Sequence, residues 1–285
     1  MILLDGKATS QTIRTELAGE VRALAEKHGR PPGLAVVIVG EDPASKVYVR
    51  MKVKACHETG ILSRHLELPE STSQAELERV VDDLNADPSI DGILVQLPLP
   101  RQLDAQPILD RINPDKDVDG FHPVNVGRLA LGLPGFVSCT PAGCMELLRR
   151  YGLRPEGKHA VIVGRSNIVG KPLALLLQQP TEMGNATVTV CHSRTPDLAE
   201  HTRRADFLFA AIGKPGMISG DMVKDGAVVV DVGISRTDDG LKGDCDFEAM
   251  RDRVSAITPV PGGVGPMTIA MLLRNTVDSC ARRLG

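Results

Sequence analysis

Twice along this chain, short runs of aliphatic and β-branched residues alternate with amphipathic stretches, and that alternation restricts the fold more than any other feature. The run 34–40 (LAVVIVG), bounded by Pro31-Pro32 and closed by Gly40, has the continuous apolar character of a buried parallel strand. Similar runs follow at 61–68 (ILSRHLEL) and 91–97 (DGILVQL), with helices predicted over 43–59 and 73–86 between them. The second of these helices opens with Ser73 and carries Glu76 in capping-box spacing. The order then recurs, with strands predicted over 159–163, 186–191, 206–212 and 227–233 and helices near 170–179 and 196–204. Strands joined by crossover helices make parallel sheets. The expected class is therefore α/β, with two parallel-sheet domains, and 285 residues is the length of about two domains at roughly 100–200 residues each. The join falls in the Pro/Gly-rich segment 113–141. After it, CTPAGCMELLRRYG predicts a helix with Thr140 as N-cap, Pro141 in the first position and Gly152 as the stop. A closing helix is predicted over about 266–283, and its periodicity leaves open which domain it packs on.

Composition excludes several functional classes. Hydrophobic residues at 42% and charged residues at 24% belong to a folding chain rather than a disordered one. A formal charge of -3, with no basic run interleaved with aromatics, argues against a nucleic-acid partner. No apolar stretch approaches the ~18 residues of a spanning helix. The opening MILLDGKATS has no basic region or cleavage site of a secretory signal, so no membrane partner and a cytoplasmic location are expected. Six cysteines lie scattered without CxxC spacing and read as reduced, mostly buried thiols, with no metal site expected.

The strongest nucleotide signal is VIVGRSNIVGKP (161–172), which passes from a strand through Gly164 into a helix near Gly170. A glycine turn there lets backbone N–H groups and the positive end of a helix meet a phosphate, although Arg165 and Ser166 stand where GxGxxG has a second glycine. At the next strand end an NAD-binding fold commonly places an acidic residue for the ribose hydroxyl. Here the sequence is Cys191-His192-Ser193-Arg194-Thr195, whose cation and hydroxyls suit a 2′-phosphate and favour NADP. In the first half, Tyr48 and Lys52 share a helix face at i, i+4, with Cys56 one turn further along. A lysine beneath an aromatic ring loses hydration and approaches a pKa useful for proton transfer, yet most such pairs are a half-buried ring beside a snorkelling ammonium. Gln96 in VQLPLP and Asp119 in KDVDGFHP sit at or after strand ends, where an amide and a carboxylate can orient a polar heterocycle. For Asp119 a turn role ahead of Gly120 is the blander alternative. The loop PGGVGPMT (261–268) has the glycine content of a backbone clamp or a helix-entry loop. These residues taken singly also allow another two-domain NADP dehydrogenase, or a dinucleotide-sensing protein without catalysis.

The ordered set YVRMKVKAC (48–56), GILVQLPLP (92–100), KDVDGFHPVNVGRL (116–129), CTPAGC (139–144), VIVGRSNIVGKP, CHSRT (191–195), DVGI (231–234) and PVPGGVGPMT (259–268) resembles the bifunctional methylenetetrahydrofolate dehydrogenase/cyclohydrolases along nearly the whole chain. The resemblance implies a folate-binding catalytic domain over 1–120 and 267–285, a Rossmann-like NADP domain over 121–266, a cleft between them and a homodimer. It implies that Tyr48 stacks on folate, Lys52 is the catalytic lysine, Gln96 tunes it and Asp119 anchors the pterin. Gly164, Arg165, Ser166, Ser193, Arg194 and Ile234 would line NADP. Val95, Gln96, Leu97, Pro261, Gly262 and Gly263 would contact folate. The chain departs from the family pattern at Ser138, at Cys245 and in the longer stretch 178–186.

Overall fold

The chain runs β1 (Ile2–Leu3), α1 (Gly6–His28), β2 (Gly33–Val39), α2 (Pro43–Thr59), β3 (Leu62–Leu68), α3 (Gln74–Ala86), β4 (Gly92–Val95), α4 (Ala105–Arg111), α5 (Pro123–Ala130) and α6 (Cys139–Arg150). It continues through β5 (His159–Val163), α7 (Gly170–Gln178), β6 (Thr187–Cys191), α8 (Leu198–Thr202), β7 (Phe207–Ala210) and β8 (Val228–Asp231). The hairpin strands β9 (Ser235–Thr237) and β10 (Gly240–Lys242), α9 (Phe247–Met250), β11 (Ala256–Ile257) and α10 (Val264–Leu284) complete it. This computed structural model describes residues 1–285.

Two units result, one of Gln11–Cys139 with Ile269–Gly285, the other of Met1–Ser10 with Thr140–Thr268. The boundaries differ from those expected, 1–120 with 267–285 and 121–266, by two residues at 267–268 and more widely at two other places. The first ten residues belong with the second sheet because β1 pairs in parallel with β11, Ile2 opposite Ala256 and Leu3 opposite Ile257. Residues 121–139 stay with the first sheet because Asn275 Nδ2 donates to the Val118 and Val137 carbonyls at 2.8 and 3.1 Å, and Asn125 Nδ2 donates to Asp117 at 2.8 Å. A two-residue strand and a polar tie leave no periodicity to read in a sequence.

In the first unit β2 lies between β3 and β4, all parallel, with Leu34 opposite Ser63 on one side and Gly92 on the other. Every residue of β2 is buried, which is why it reads as a continuous apolar run. Strand β3 is an edge, and its pattern of exposed and half-buried positions departs from the buried strand expected over 61–68. The core joins Ala35, Val37 and Val39 to Leu77, Val81 and Leu84 of α3 and to Ile93 and Val95 of β4. Helix α3 begins with the full capping box, Ser73 Oγ accepting from Glu76 N while the Glu76 carboxylate accepts from Ser73 N. The end of α10 is tied in by a buried ion cluster. Asp91, with no exposed surface, accepts both Arg30 guanidinium nitrogens at 2.7 and 2.9 Å, Gly33 N at 2.9 Å and Arg283 Nη1 at 2.9 Å.

The second unit holds a six-stranded parallel sheet in the order β1-β11-β8-β7-β5-β6. Strand β5 lies between β6, reached through α7, and β7, so the strand order reverses at its carboxyl end. That reversal is where open α/β sheets bind ligands. Its core packs Val161, Val163, Leu208 and Val229 with Ile218, Met250 and Ile257. Thr140 is not the cap of α6. The helix starts at Cys139, and the Thr140 hydroxyl hydrogen-bonds the Thr268 hydroxyl at 3.0 Å instead. The helix expected over 196–204 shortens to Leu198–Thr202.

Candidate active site

Helix α2 is placed at the carboxyl end of β2 by its own ends. Asp42 accepts from Ser45 N at 2.7 Å with Pro43 in the first turn, and Gly60, at φ 81, returns its N–H to the Cys56 and His57 carbonyls. Tyr48 and Lys52 project from successive turns of this helix, Tyr48 at 36% exposure. Lys52 is half-buried as a residue, but its ammonium end is not in bulk water. Nζ donates to Gln96 Oε1 at 2.9 Å, and Gln96 Nε2 donates to the Leu97 carbonyl at 2.7 Å, which fixes the amide with its oxygen toward the lysine. Strand β4 ends at Val95, so Gln96 and Leu97 stand just beyond it rather than within the strand expected over 91–97.

The carboxylate opposite comes from a loop held at almost every residue. Lys116 Nζ donates to the carbonyls of Leu84, Asn85 and Asp87 at the end of α3. The Asp117 carboxylate accepts from Gly120 N, Phe121 N, His122 N and Asn125 Nδ2 at 2.8 to 3.2 Å, which curls the chain around it. Gly120, at φ 74, makes the bend, and an added Cβ there would lie 2.5 Å from the Ser138 nitrogen. The Val118 carbonyl accepts from Asn275 and from the Cys139 thiol at 3.3 Å. Asp119 is thereby presented to Lys52. Burial pushes the Asp119 carboxyl up to about 6, the Lys52 charge pulls it back and the Asp117 carboxylate adds to the rise. Burial pushes the Lys52 ammonium below its usual range, while Asp119 opposes the fall. The two groups move toward the neutral range from opposite sides, the direction burial imposes on a base and on an acid. Burial drives the Cys139 thiol well above its ordinary value and Cys56 up to about 12, so neither supplies a thiolate.

In the second unit the turn from β5 to α7 is compressed. Gly164 has φ 130, and a Cβ on it would lie 2.2 Å from the Ala211 carbonyl oxygen. A Cβ on Gly170 would lie 2.2 Å from the Gly164 carbonyl oxygen. Ser166 Oγ accepts from Val169 N and Gly170 N at 3.1 and 3.4 Å, and Arg165 and Ser166 are exposed. After β6, Thr195 Oγ1 accepts from His192 N at 2.9 Å and His192 Nδ1 accepts from Arg194 N at 3.2 Å. That bonding orders the backbone beneath Ser193 and Arg194 and leaves both side chains exposed. Ile234, 43% exposed, follows the end of β8. A glycine turn at the amino end of a helix, with exposed hydroxyls and guanidinium groups on the loops after β5 and β6, has the chemistry that suits a phosphorylated dinucleotide.

Residues 4–119 match the tetrahydrofolate dehydrogenase/cyclohydrolase catalytic domain, and residues 138–284 match the NAD(P)-binding domain of the same family. The chain belongs to the tetrahydrofolate dehydrogenase/cyclohydrolase family. It is 66% identical over 285 residues to the bifunctional protein FolD of Nitratidesulfovibrio vulgaris, with all of both chains covered. Among solved structures it is similar to the bifunctional FolD methylenetetrahydrofolate dehydrogenase/cyclohydrolase of Campylobacter jejuni, at 53% identity and a TM-score of 0.96 over 100% of both chains. It is also similar to the Trypanosoma brucei methylenetetrahydrofolate dehydrogenase-cyclohydrolase complexed with NADP cofactor and inhibitor, at 42% identity and a TM-score of 0.93, covering 99% of this chain and 98% of that one.

Against that family the residues expected from the sequence fall into three places. Lys52, Gln96 and Asp119 come together, with Tyr48 on the same helix and Val95 and Leu97 flanking Gln96. Gly164, Arg165, Ser166, Ser193, Arg194 and Ile234 follow the carboxyl ends of β5, β6 and β8. Pro261, Gly262 and Gly263 form the loop before α10, where the Gly262 carbonyl accepts from Lys7 N at 2.8 Å. The sequence reading passed over Asp117 and Cys139, both buried beside Asp119. The Asp three residues ahead of a glycine, in KDVDG, is the pattern that could have singled out Asp117, since an aspartate there can accept the N–H groups of the turn it precedes. A cavity of about 450 Å³ lies elsewhere in the first unit, lined by Arg50, Lys54, His57, His65 and their neighbours. None of the Lys52 set lines it, so chemistry rather than cavity volume locates the site.

Proposed function

We propose that the protein oxidises 5,10-methylenetetrahydrofolate to 5,10-methenyltetrahydrofolate with NADP+ and hydrolyses the product to 10-formyltetrahydrofolate, with Lys52 as the proton-transferring group of the second step. The observation that carries this reading is the Lys52 ammonium, partly desolvated, hydrogen-bonded to a neutral amide and electrostatically coupled to Asp119. The tight glycine turn from Gly164 to Gly170, where backbone packs on backbone and leads into the amino end of α7, supports a bound dinucleotide. Ser166, Ser193 and Arg194 would hold its phosphates, and bound NADP+ supplies the hydride acceptor.

The methylene carbon lies between two nitrogens, so the cation left after its oxidation is delocalised over N–C–N, and positioning is most of what the protein contributes there. Tyr48 stacks on the ring system, and Asp119 accepts from the pterin donors. Hydrolysis asks for more. Water adds to the methenyl carbon and gives up a proton, and a ring nitrogen must then be protonated as it leaves. Lys52 can perform both transfers from one place, because its lowered pKa lets it exist without a proton and Gln96 holds it in line in either state.

Purified protein supplied with methylenetetrahydrofolate and NADP+ should raise NADPH absorbance, and methenyltetrahydrofolate should disappear faster than in buffer. NADP+ binding without turnover of any folate would sink the reading in favour of a dinucleotide sensor. We place the protein in the cytoplasm as a homodimer, on the family resemblance together with the absence of any helix long and apolar enough to cross a membrane. Light scattering on the purified chain of 30.5 kDa should report twice that mass.

A further inference from the structure

Two buried carboxylates outside the Lys52 set, Asp231 and Asp244, are 3% and 0% exposed and face no cation. Their bonds go to backbone. Asp244 Oδ2 accepts from Ile212 N and Gly213 N at 2.6 and 3.0 Å, and Oδ1 accepts from Lys214 N at 2.7 Å. Asp231 Oδ1 accepts from Gly233 N and Asp244 N, both at 3.0 Å, and Oδ2 accepts from Cys245 N at 2.8 Å. Each aspartate also occupies the space a side chain would need in the other's segment. A Cβ on Gly233 would lie 2.2 Å from Asp244 Cγ, and a Cβ on Gly243 would lie 2.0 Å from Asp231 Oδ2. The segments DVG (231–233) and GDC (243–245) are thus locked reciprocally, carboxylate into glycine on both sides.

What they lock is informative. Residues 212–214 follow β7 and residues 232–234 follow β8, at the carboxyl edge where this sheet meets a ligand. Ala211, one residue before the anchored amides, is the residue whose carbonyl Gly164 approaches. The Asp244 bonds to residues 212–214 are a costly way to shape a loop that touches nothing, since Gly213 and Lys214 are exposed and water could satisfy their N–H groups.

We propose that Asp244 and Asp231 are positioning residues for the dinucleotide: they hold the backbone of 212–214 and 233–234 in its binding conformation before NADP+ arrives. The proposal rests on the reading of this unit as the NADP site and says how that site is preorganised. A preorganised loop spends no binding energy on ordering, so loosening it appears in cofactor affinity.

The test is Asp244→Asn, which keeps the shape but turns an NH2 group toward amide donors. KM for NADP+ and the dissociation constant of NADPH, read by fluorescence, should both rise about tenfold or more. Hydrolysis of methenyltetrahydrofolate, which uses no dinucleotide, should stay within about twofold. Gly243→Ala, which displaces Asp231 by a different route, should give the same split. A lower melting temperature with unchanged cofactor constants would overturn the proposal and leave a purely structural role. Should neither variant fold, amide exchange on the wild-type protein decides: the N–H groups of 212–214 and 233 should be protected without NADP+ and change little when it is added. Fast exchange that slows only with NADP+ would overturn preorganisation. Failure of the wild-type protein to reduce NADP+ with methylenetetrahydrofolate would instead count against the proposed function, and the NADPH constants would still judge this inference.

Discussion

A lysine that must both take and give a proton has to be held without being fixed in one charge state. Lys52 meets that condition because its direct partner is the neutral Gln96, with the nearest carboxylate itself raised by burial. Lys52→Met, close in length but unable to titrate, should lower methenyltetrahydrofolate hydrolysis at least ~10²-fold and NADPH formation by less. Following the two reactions separately checks this, and hydride transfer collapsing while hydrolysis survives would make Lys52 a merely orienting group. Asp119 carries a pH prediction. Its carboxyl is raised from 3.8 to about 6, so its ionisation opposes folding. The stability linked to it is whole below the ordinary value and lost as pH rises through 6. On the role proposed for Asp119, folate capture runs the other way, because only the ionised acceptor would serve the pterin. The kcat/KM of hydrolysis should therefore fall about tenfold per unit below pH 6, and Asp119→Asn should abolish that limb while leaving NADP+ affinity nearly unchanged. Arg194, exposed after β6, is the residue we propose for the 2′-phosphate. Arg194→Ala should cut the NADP+ preference over NAD+ by roughly ten- to a hundredfold, the worth of a charge-assisted hydrogen bond of about 1.5–3 kcal/mol. An unchanged ratio would move the assignment to Arg165.

Elements decide how accurately those residues are delivered. The β5 to α7 turn works because two glycines let backbone approach backbone. Gly164→Ala would put a side chain at φ 130 and 2.2 Å from the Ala211 oxygen, so the turn must open. We expect NADP+ binding to fall beyond measurement in calorimetry, with folate binding retained. Loss of both would show that the turn supports the whole molecule. Much of this level was legible. The capping box at Ser73 and Glu76, helix 43–59 and the apolar runs of β2, β5, β7 and β8 are local features, and local features survive in sequence. Helix α1, the two-residue strands β1 and β11 and the β9–β10 hairpin went unread. Helix α1 does carry a helical stripe, with Ser10, Ile13, Leu17 and Val21 buried at spacings of three and four, whereas the strands are too short for periodicity and are fixed only by distant partners. Thr140 misled for a related reason: its hydroxyl has the chemistry of a cap, but Thr268, remote in sequence, takes it.

Across the whole chain, a few polar contacts tie distant segments together around the apolar cores. Asp91 joins Arg30 and Arg283 and is sealed from solvent. Asp91→Ala should destabilise the protein by about 1–3 kcal/mol, the cost of losing charge-assisted hydrogen bonds when the two arginines left behind are already partly exposed. Denaturant unfolding measures it, and a loss under ~1 kcal/mol would mean that water satisfies the two guanidinium groups. The alternation of strands and helices determined the α/β class, the three strands of the first sheet and four of the six in the second, because period and apolar content act within a dozen residues. The ordered motifs also named Lys52, Gln96, Asp119 and the Gly164 turn, because family resemblance preserves chemistry in linear order. Only the tertiary structure decided that residues 1–10 join the second unit and that Asp117, Cys139 and Asn275 hold the Asp119 loop. It alone showed Asp231 and Asp244 each filling the other's glycine. Those choices depend on which backbone donors are left unpaired after the sheets form, and that shortage exists only once segments far apart in sequence have met.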